Sequence, residues 1–206
     1  MRRNAAEIQQ HFDLYVYQME WNPLLFGKRR NVADLVAEKA AALTKKERKE
    51  LKNWHKLDDK KRNNEDEVLV CQQGNIKWDV NLRKRYKVLH CIIIGATLIG
   101  ILLQGIIQEE TIPILFSRMW IITPLLKWIW DVTQQLDFNI KNLEEIDSRI
   151  EMLDNPNMYD LQIIQNMIYE HRKTCFKIPD CFYNLFKDKD QERAKRMAGL
   201  NLEKKI

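Results

Sequence analysis

The sequence predicts an all-α membrane protein, with a two-span transmembrane helical hairpin and a cytoplasmic helical domain built from both termini. Three observations predict it. Val88–Gln108 carries no Asp, Glu, Lys or Arg, and roughly 20 apolar residues cross a hydrocarbon core of about 30 Å. A second apolar stretch, Thr111–Trp130, follows after only Gln108, Glu109 and Glu110, so the two helices must run antiparallel. Gly and Pro number 6 and 5 in 206 residues, too few for a turn-rich all-β chain. The mean hydropathy of −0.47 hides this pattern, because both ends are polar.

The second stretch is interrupted by Arg118 and Lys127. Lys127 lies near the end, beside Trp128 and Trp130, and can snorkel to the headgroups. Arg118 lies deeper, and a span carrying it needs a partner for the charge or a wet cavity; the alternative is an interfacial or re-entrant helix. Arg83, Lys84, Arg85 and Lys87 precede the first span, and Lys127 and Lys141 flank the end of the second, whereas the connecting loop has no basic residue. The positive-inside rule then places both termini in the cytoplasm. The expected organisation is 1–87 as an N-terminal cytoplasmic helical segment, 88–130 as the hairpin (88–108 and 111–130), and 131–206 as a C-terminal cytoplasmic helical segment.

Within the first span His90, Thr97, Gln104 and Gln108 fall on one face, being spaced by seven, seven and four. The stripe either lines a pore or supplies interhelical hydrogen bonds. Ser117, Lys127 and Asp131, with Trp120 and Pro124, form a mixed face on the second span. Lys127 and Asp131 are spaced for an ion pair, and Pro124 is expected to bend the helix. Ala96 and Gly100 make a small-xxx-small pair, with Gly105 beyond it, which permits close helix approach and hints at oligomers.

The N-terminal part reads as helices. Ile8, Phe12, Tyr15 and Met19 give one apolar face; Asn22-Pro23 and Gly27 interrupt it. Asn31 suits the cap of a helix bearing Val32, Leu35, Val36 and Leu43. Thr44 with Glu47 fits a capping box. Residues 56–67 are expected to be an exposed loop, with the last helix before the membrane starting near Asp79. After the hairpin, Leu136, Ile140, Leu143, Ile146, Ile150 and Leu153 make a helical seam, fitted to the chain's own helices or to a short coiled coil. Asn155-Pro156 ends it; Met158–Arg172 is a further helix, and a short aromatic one follows Pro179.

The net charge of +5 is spread along the chain, so no nucleic-acid polymer is expected as a partner; the Lys45–Lys52 run reads as a solvated helix face. The four cysteines are too scattered for a disulfide framework. His171, Cys175 and Cys181 lack a fourth ligand, so no metal is assigned. No phosphate-binding loop, nucleophile elbow or HExxH motif occurs, so no enzyme and no cofactor are expected. No apolar run stands behind Arg2 and Arg3, so no signal peptide is read.

Several segments together resemble the SMODS-associated four-transmembrane effector family of bacteria: Phe12–Arg30, Leu51–His55, Cys71–Lys87 and Ile168–Phe186. The most specific pieces are Trp78–Tyr86 and Pro179–Tyr183. The resemblance implies a pore-forming or membrane-disrupting effector of a nucleotide-signalled anti-phage system, acting by oligomerising in the inner membrane. A nucleotidyltransferase would supply a cyclic oligonucleotide signal whose binding residues are unknown. The family has two further spans before the shared soluble segment, so this chain is expected to lack the first pair, as a truncation or as half of a split effector; a partner supplying them is one expectation. The rival reading is a non-conducting, membrane-anchored adaptor or scaffold.

Overall fold

The computed structural model describes residues 2–29, 31–41, 44–45, 64–187 and 190. Among them there are helices and no strands. The order is α1 (Arg2–Val16), α2 (Pro23–Phe26), α3 (Ala33–Ala41), α4 (Asn64–Ile107), α5 (Ile112–Glu151) and α6 (Met158–Thr174); residues 180–187 form a short α7. The chain divides into two compact units. One comprises Met1–Asn75 and Ile146–Thr174, the other Ile76–Glu145 and Cys175–Ile206.

Helix α4 starts at Asn64, well before Asp79, so the expected loop over 56–67 gives way to helix at its described end. Two causes are visible. Glu65, Asp66 and Glu67 occupy the first turn, where acidic side chains oppose the helix dipole. Behind them Val68, Gln72, Ile76 and Val80 are buried at four-residue spacing. The Lys45–Lys52 run and the Thr44–Glu47 box fall largely outside the described residues.

In the first unit α1 packs on α6. The apolar face expected on α1 is not the buried one: Phe12 is 48% exposed and Tyr15 84%, while Ala6, Gln10, Asp13, Leu14 and Tyr17 are buried. The reason is a polar network that periodicity of apolar residues cannot reveal. Gln165 Nε2 donates to Gln10 Oε1 (2.9 Å) and Asp13 Oδ2 (3.1 Å). Gln72 Nε2 donates to Gln165 Oε1 (3.2 Å) and to the Leu161 carbonyl (3.0 Å). Arg172 Nη1 completes it on Asp13 Oδ2 at 2.5 Å. Gln10, Gln72 and Gln165 are all fully buried, and their bonds tie α1, α4 and α6 together. Next to the network lies a small core of Tyr17, Val68 and Leu161, with Met19, Leu69, Cys71 and Met158 against it. Burial foremost, with Asp13 nearby, pushes the Tyr17 phenol far above its ordinary pKa, so it stays protonated.

Helix α2 is a one-turn cap. Asn22 Oδ1 accepts from Leu24 N and Leu25 N, and Pro23 takes the first position. Asn31 Oδ1 caps α3 by accepting from Ala33 N, as its sequence position suggests. At the far end, Leu136, Ile140, Leu143, Ile146 and Ile150 of α5 are all buried, so the expected seam is packed within the chain. Asn157 Oδ1 accepts from Tyr159 N and Asp160 N, while Asp160 Oδ2 accepts from Asn157 N; this reciprocal cap starts α6.

Two outcomes test this unit. Gln165→Leu takes one bond from each of three buried partners and leaves Gln10 Oε1 without the bond it accepts from Gln165, so it is expected to cost about 1–3 kcal/mol. Arg172→Met leaves Asp13 a buried, unpaired charge and should cost about 3–5 kcal/mol. Thermal unfolding followed by circular dichroism in detergent gives both values; equal and negligible losses would mean the network is not formed. The second outcome concerns acid. His11 Nδ1 accepts from Arg29 Nε at 3.0 Å, and burial first, then Arg29, lowers its pKa, with Glu7 opposing. The unfolded chain therefore takes up a proton near pH 6.5 before the native one does. Stability is full above that pH and falls as pH drops through the lower native value. His11→Asn retains an acceptor but does not titrate, so its unfolding temperature should fall less between pH 7 and 5. Parallel profiles would remove His11 from the acid response.

Candidate functional site

The second unit contains the hairpin. Both of its helices carry apolar windows long enough to cross a bilayer, and only 11% of the α4 window and 6% of the α5 window are buried within the chain. A soluble core helix would be mostly covered. These helices leave Ile92, Ile99, Leu102, Leu103, Ile106 and Ile107 open on one arm, and Ile114, Phe116, Trp120, Ile121 and Leu125 on the other. Surface of that kind belongs in lipid or against other helices.

The turn closes tightly. Gln108 N and Glu110 N bond back to the carbonyls of Gln104 and Gly105, and Glu109 has φ +52°. A Cβ at Gly105 would collide with the Leu115 side chain, so this glycine sets the close approach of the two arms near the turn. A Cβ at Gly100 would meet nothing within 4 Å, and Ala96 is exposed. Arg118 finds a partner in the acidic loop: it forms an ion pair with Glu110 Oε1, and its Nη2 donates to Gln108 Oε1 at 3.0 Å. The sequence signalled a need for such a partner without naming it.

The remaining sequence-predicted residues lie apart. His90 is buried; its Nδ1 is 2.9 Å from the Tyr86 carbonyl, and its ring lies between those of Tyr86 (4.4 Å) and Trp128 (6.4 Å). Thr97 is half-buried and donates to the Ile93 carbonyl at 2.8 Å. Gln104, Gln108 and Ser117 are exposed. Lys127 and Asp131 form the expected i, i+4 pair at 3.0 Å, with both side chains exposed. The helix runs on through Pro124 to Glu151.

Below the first arm stands a collar whose counter-charges sequence reading missed. Arg83 bonds Asp79 and the Phe176 carbonyl (2.9 Å). Lys84 pairs with Glu144 at 2.6 Å and Lys87 with Asp137 at 2.5 Å. Arg85 donates to both carboxylate oxygens of Asp190, at 2.8 and 2.7 Å, and its guanidinium lies 4.8 Å over the Phe186 ring. Asp137 and Glu144 stand seven apart on α5, so their shared face was readable; Asp190 gave no such signal. Leu82, Tyr86, Val132, Leu136, Ile178 and Phe182 form the core beneath these pairs, with Trp78, Phe176, Tyr183 and Phe186 packed on it. Trp78 and Tyr183 meet edge to face at 5.1 Å. Thus the Trp78–Tyr86 and Pro179–Tyr183 segments, far apart in sequence, contact each other. Burial raises the pKa of both Tyr86 and Tyr183.

This arrangement can anchor, clamp and insert. Residues 1–199 match the family described as the SMODS-associating 4TM effector domain. The chain belongs to that family. It is also similar to a probable CBASS effector molecule of Bacillus cereus (strain VD146), at 24% identity over 201 residues; the alignment covers 92% of this chain and 66% of the relative. The chain therefore spans just under two thirds of that relative's length. No solved structure matches the chain. Membership in a membrane-effector family and two uncovered apolar helices together mark an all-α, membrane-associated protein.

The Arg118 clamp carries a prediction. An unpartnered Arg in a span costs about 2.5–3.5 kcal/mol on insertion scales. Glu110→Ala should therefore lower insertion of α5, measured as the fraction of chains whose α5 apolar segment resists protease in sealed vesicles. Glu110→Ala with Arg118→Leu should recover it. Equal insertion in all three chains would show that the pair does not support the second span.

Proposed function

We propose that this chain is the membrane effector of a CBASS-type anti-phage system. It sits in the bacterial inner membrane with both termini in the cytoplasm. A cyclic oligonucleotide, made by a nucleotidyltransferase, drives copies together, and the assembled hairpins permeabilise the bilayer. The observation that carries this reading is the family match over residues 1–199 on a chain whose two apolar helices are largely uncovered. Oligomers give those surfaces partners in lipid, where packing and hydrogen bonds drive helix association. A partner protein supplying a further pair of spans is compatible with this assembly.

The wall of the conducting path is assigned to Thr97 and Gln104 on the first span and to Ser117, Lys127 and Asp131 on the second; His90 and Gln108 stand at its two ends, His90 packed on Tyr86 and Trp128 and Gln108 held by Arg118. Ala96 and Gly100 offer a close-approach surface between copies. A ligand can drive assembly only by binding the assembled state more tightly than the dispersed one. The proposed effector acts without catalysis.

Dye leakage from vesicles holding the purified chain tests the reading. Leakage should rise when the matching cyclic oligonucleotide is added. Thr97→Leu with Gln104→Leu should abolish leakage while leaving insertion and oligomer size unchanged, since an apolar constriction closes a path by dewetting. Reporter fusions at position 70 and at the C-terminus should both report cytoplasm. Signal-bound oligomers without leakage would favour an adaptor.

A further inference from the structure

Helix α2 and its flanks form an unusually well-fixed turn. Phe26 N and Gly27 N bond the carbonyls of Asn22 and Pro23, Gly27 adopts φ +73°, and Trp21 Nε1 donates to the Gly27 carbonyl at 2.9 Å. The Phe26 ring stands on Tyr169 at 4.7 Å and on Trp21 at 5.6 Å; Trp21 stacks on His11. Yet the two leucines at its apex point outward, Leu24 95% exposed and Leu25 61%. They contribute little to this unit, since a leucine left in water forgoes most of the gain of burial. A backbone already fixed loses little entropy on binding, so such a turn suits docking. Lys28 and Arg29, both exposed, give it a cationic rim.

The same unit carries a second uncovered surface. At the α5–α6 corner Met152 is 79% exposed and Tyr159 73%, with Ile163 one turn beyond Tyr159. Glu151 and Asp154 outnumber Arg149 at this corner and leave it acidic, the opposite sign. On α6 the outward Tyr159 and Ile163 oppose the buried Leu161 and Gln165. Tyr159 is also separated from Tyr169, the seat of Phe26, by about 15 Å of helix. The two surfaces are therefore distinct parts of one body.

We propose that the Leu24–Leu25 turn of one copy docks on the Met152, Tyr159 and Ile163 corner of the next. Charge decides the pairing. Placing the cationic turn against itself across a twofold axis opposes like charges, whereas turn against corner joins Lys28 to Asp154. Copies inserted in one orientation share a height and are related by rotation about the membrane normal. A head-to-tail contact repeats under that rotation and builds a ring or chain with more than two members. The inference names the contact for the assembly proposed above and does not depend on conduction.

Disulfide trapping in membranes, on the full chain with Cys71, Cys91, Cys175 and Cys181 changed to Ala, tests it. A chain with Leu24→Cys and Ile163→Cys should give a ladder beyond dimer on oxidation. Each single variant should stay monomeric, and a mixture of the two should give dimer only. Lys28→Glu should weaken the ladder several-fold, and Lys28→Glu with Asp154→Lys should restore it. Dimer from Leu24→Cys alone, or no product from the mixture, overturns the proposal. So does quenching of a fluorophore at Leu24→Cys by brominated lipid, which would seat the turn in the bilayer. A ladder without leakage upholds the docking and removes the pore reading; leakage without a ladder removes the docking alone.

Discussion

The structure depends on one helix serving different environments in succession. Helix α4 has 44 residues, about 66 Å at the usual rise, roughly twice the thickness of a hydrocarbon core. Its backbone bonds are satisfied internally throughout, so only its side chains need change with surroundings. Val68, Gln72 and Ile76 are buried, and Gln72 spends its amide on α6. Leu82, Arg83 and Tyr86 are buried in the collar. Beyond Val88 the helix is apolar and largely bare.

The collar explains how that start can be both strongly basic and well packed. Free cations at this density would repel one another. Instead Arg83, Lys84, Arg85 and Lys87 each meet a carboxylate, from Asp79, Glu144, Asp190 and Asp137. Arg85 and Asp190 hold their pair beside Phe186, where water is partly excluded and the attraction is less screened. Once folded, little of the cluster's charge remains for lipid headgroups. The positive-inside bias concerns basic residues near the span ends and gives acidic ones little weight, so this neutralisation does not weaken the orientation argument.

How much was legible follows from chemistry. The two long apolar helices and the Leu136–Ile150 seam rest on long apolar patterns, and these were readable. The Lys127–Asp131 pair was readable because its spacing alone brings the charges together. The buried side of α1 was not, because Gln10 and Asp13 look like solvent-facing residues until Gln165 and Arg172 arrive from more than 150 positions away. The same holds for Asp190. Polar groups enter a core only with partners, and distant partners leave no periodic trace.

The polar residues of the first span now separate by how completely they are satisfied. His90 is enclosed by Tyr86 and Trp128, so it ties the span to the collar core and has little freedom to face a lumen without moving those rings. Gln108 is engaged by Arg118 at the turn. Thr97 returns its hydroxyl to its own helix, a bond that costs nothing to keep in lipid and can be shared with water when water is present. Gln104 is different: its exposed amide has four hydrogen-bonding sites in the middle of apolar surface. Hydrocarbon offers it nothing, so it favours either another copy or a wet path. If the hairpin has a dispersed and an assembled state, Gln104 is the polar side chain of the first span that no bond within the described chain holds to one of them.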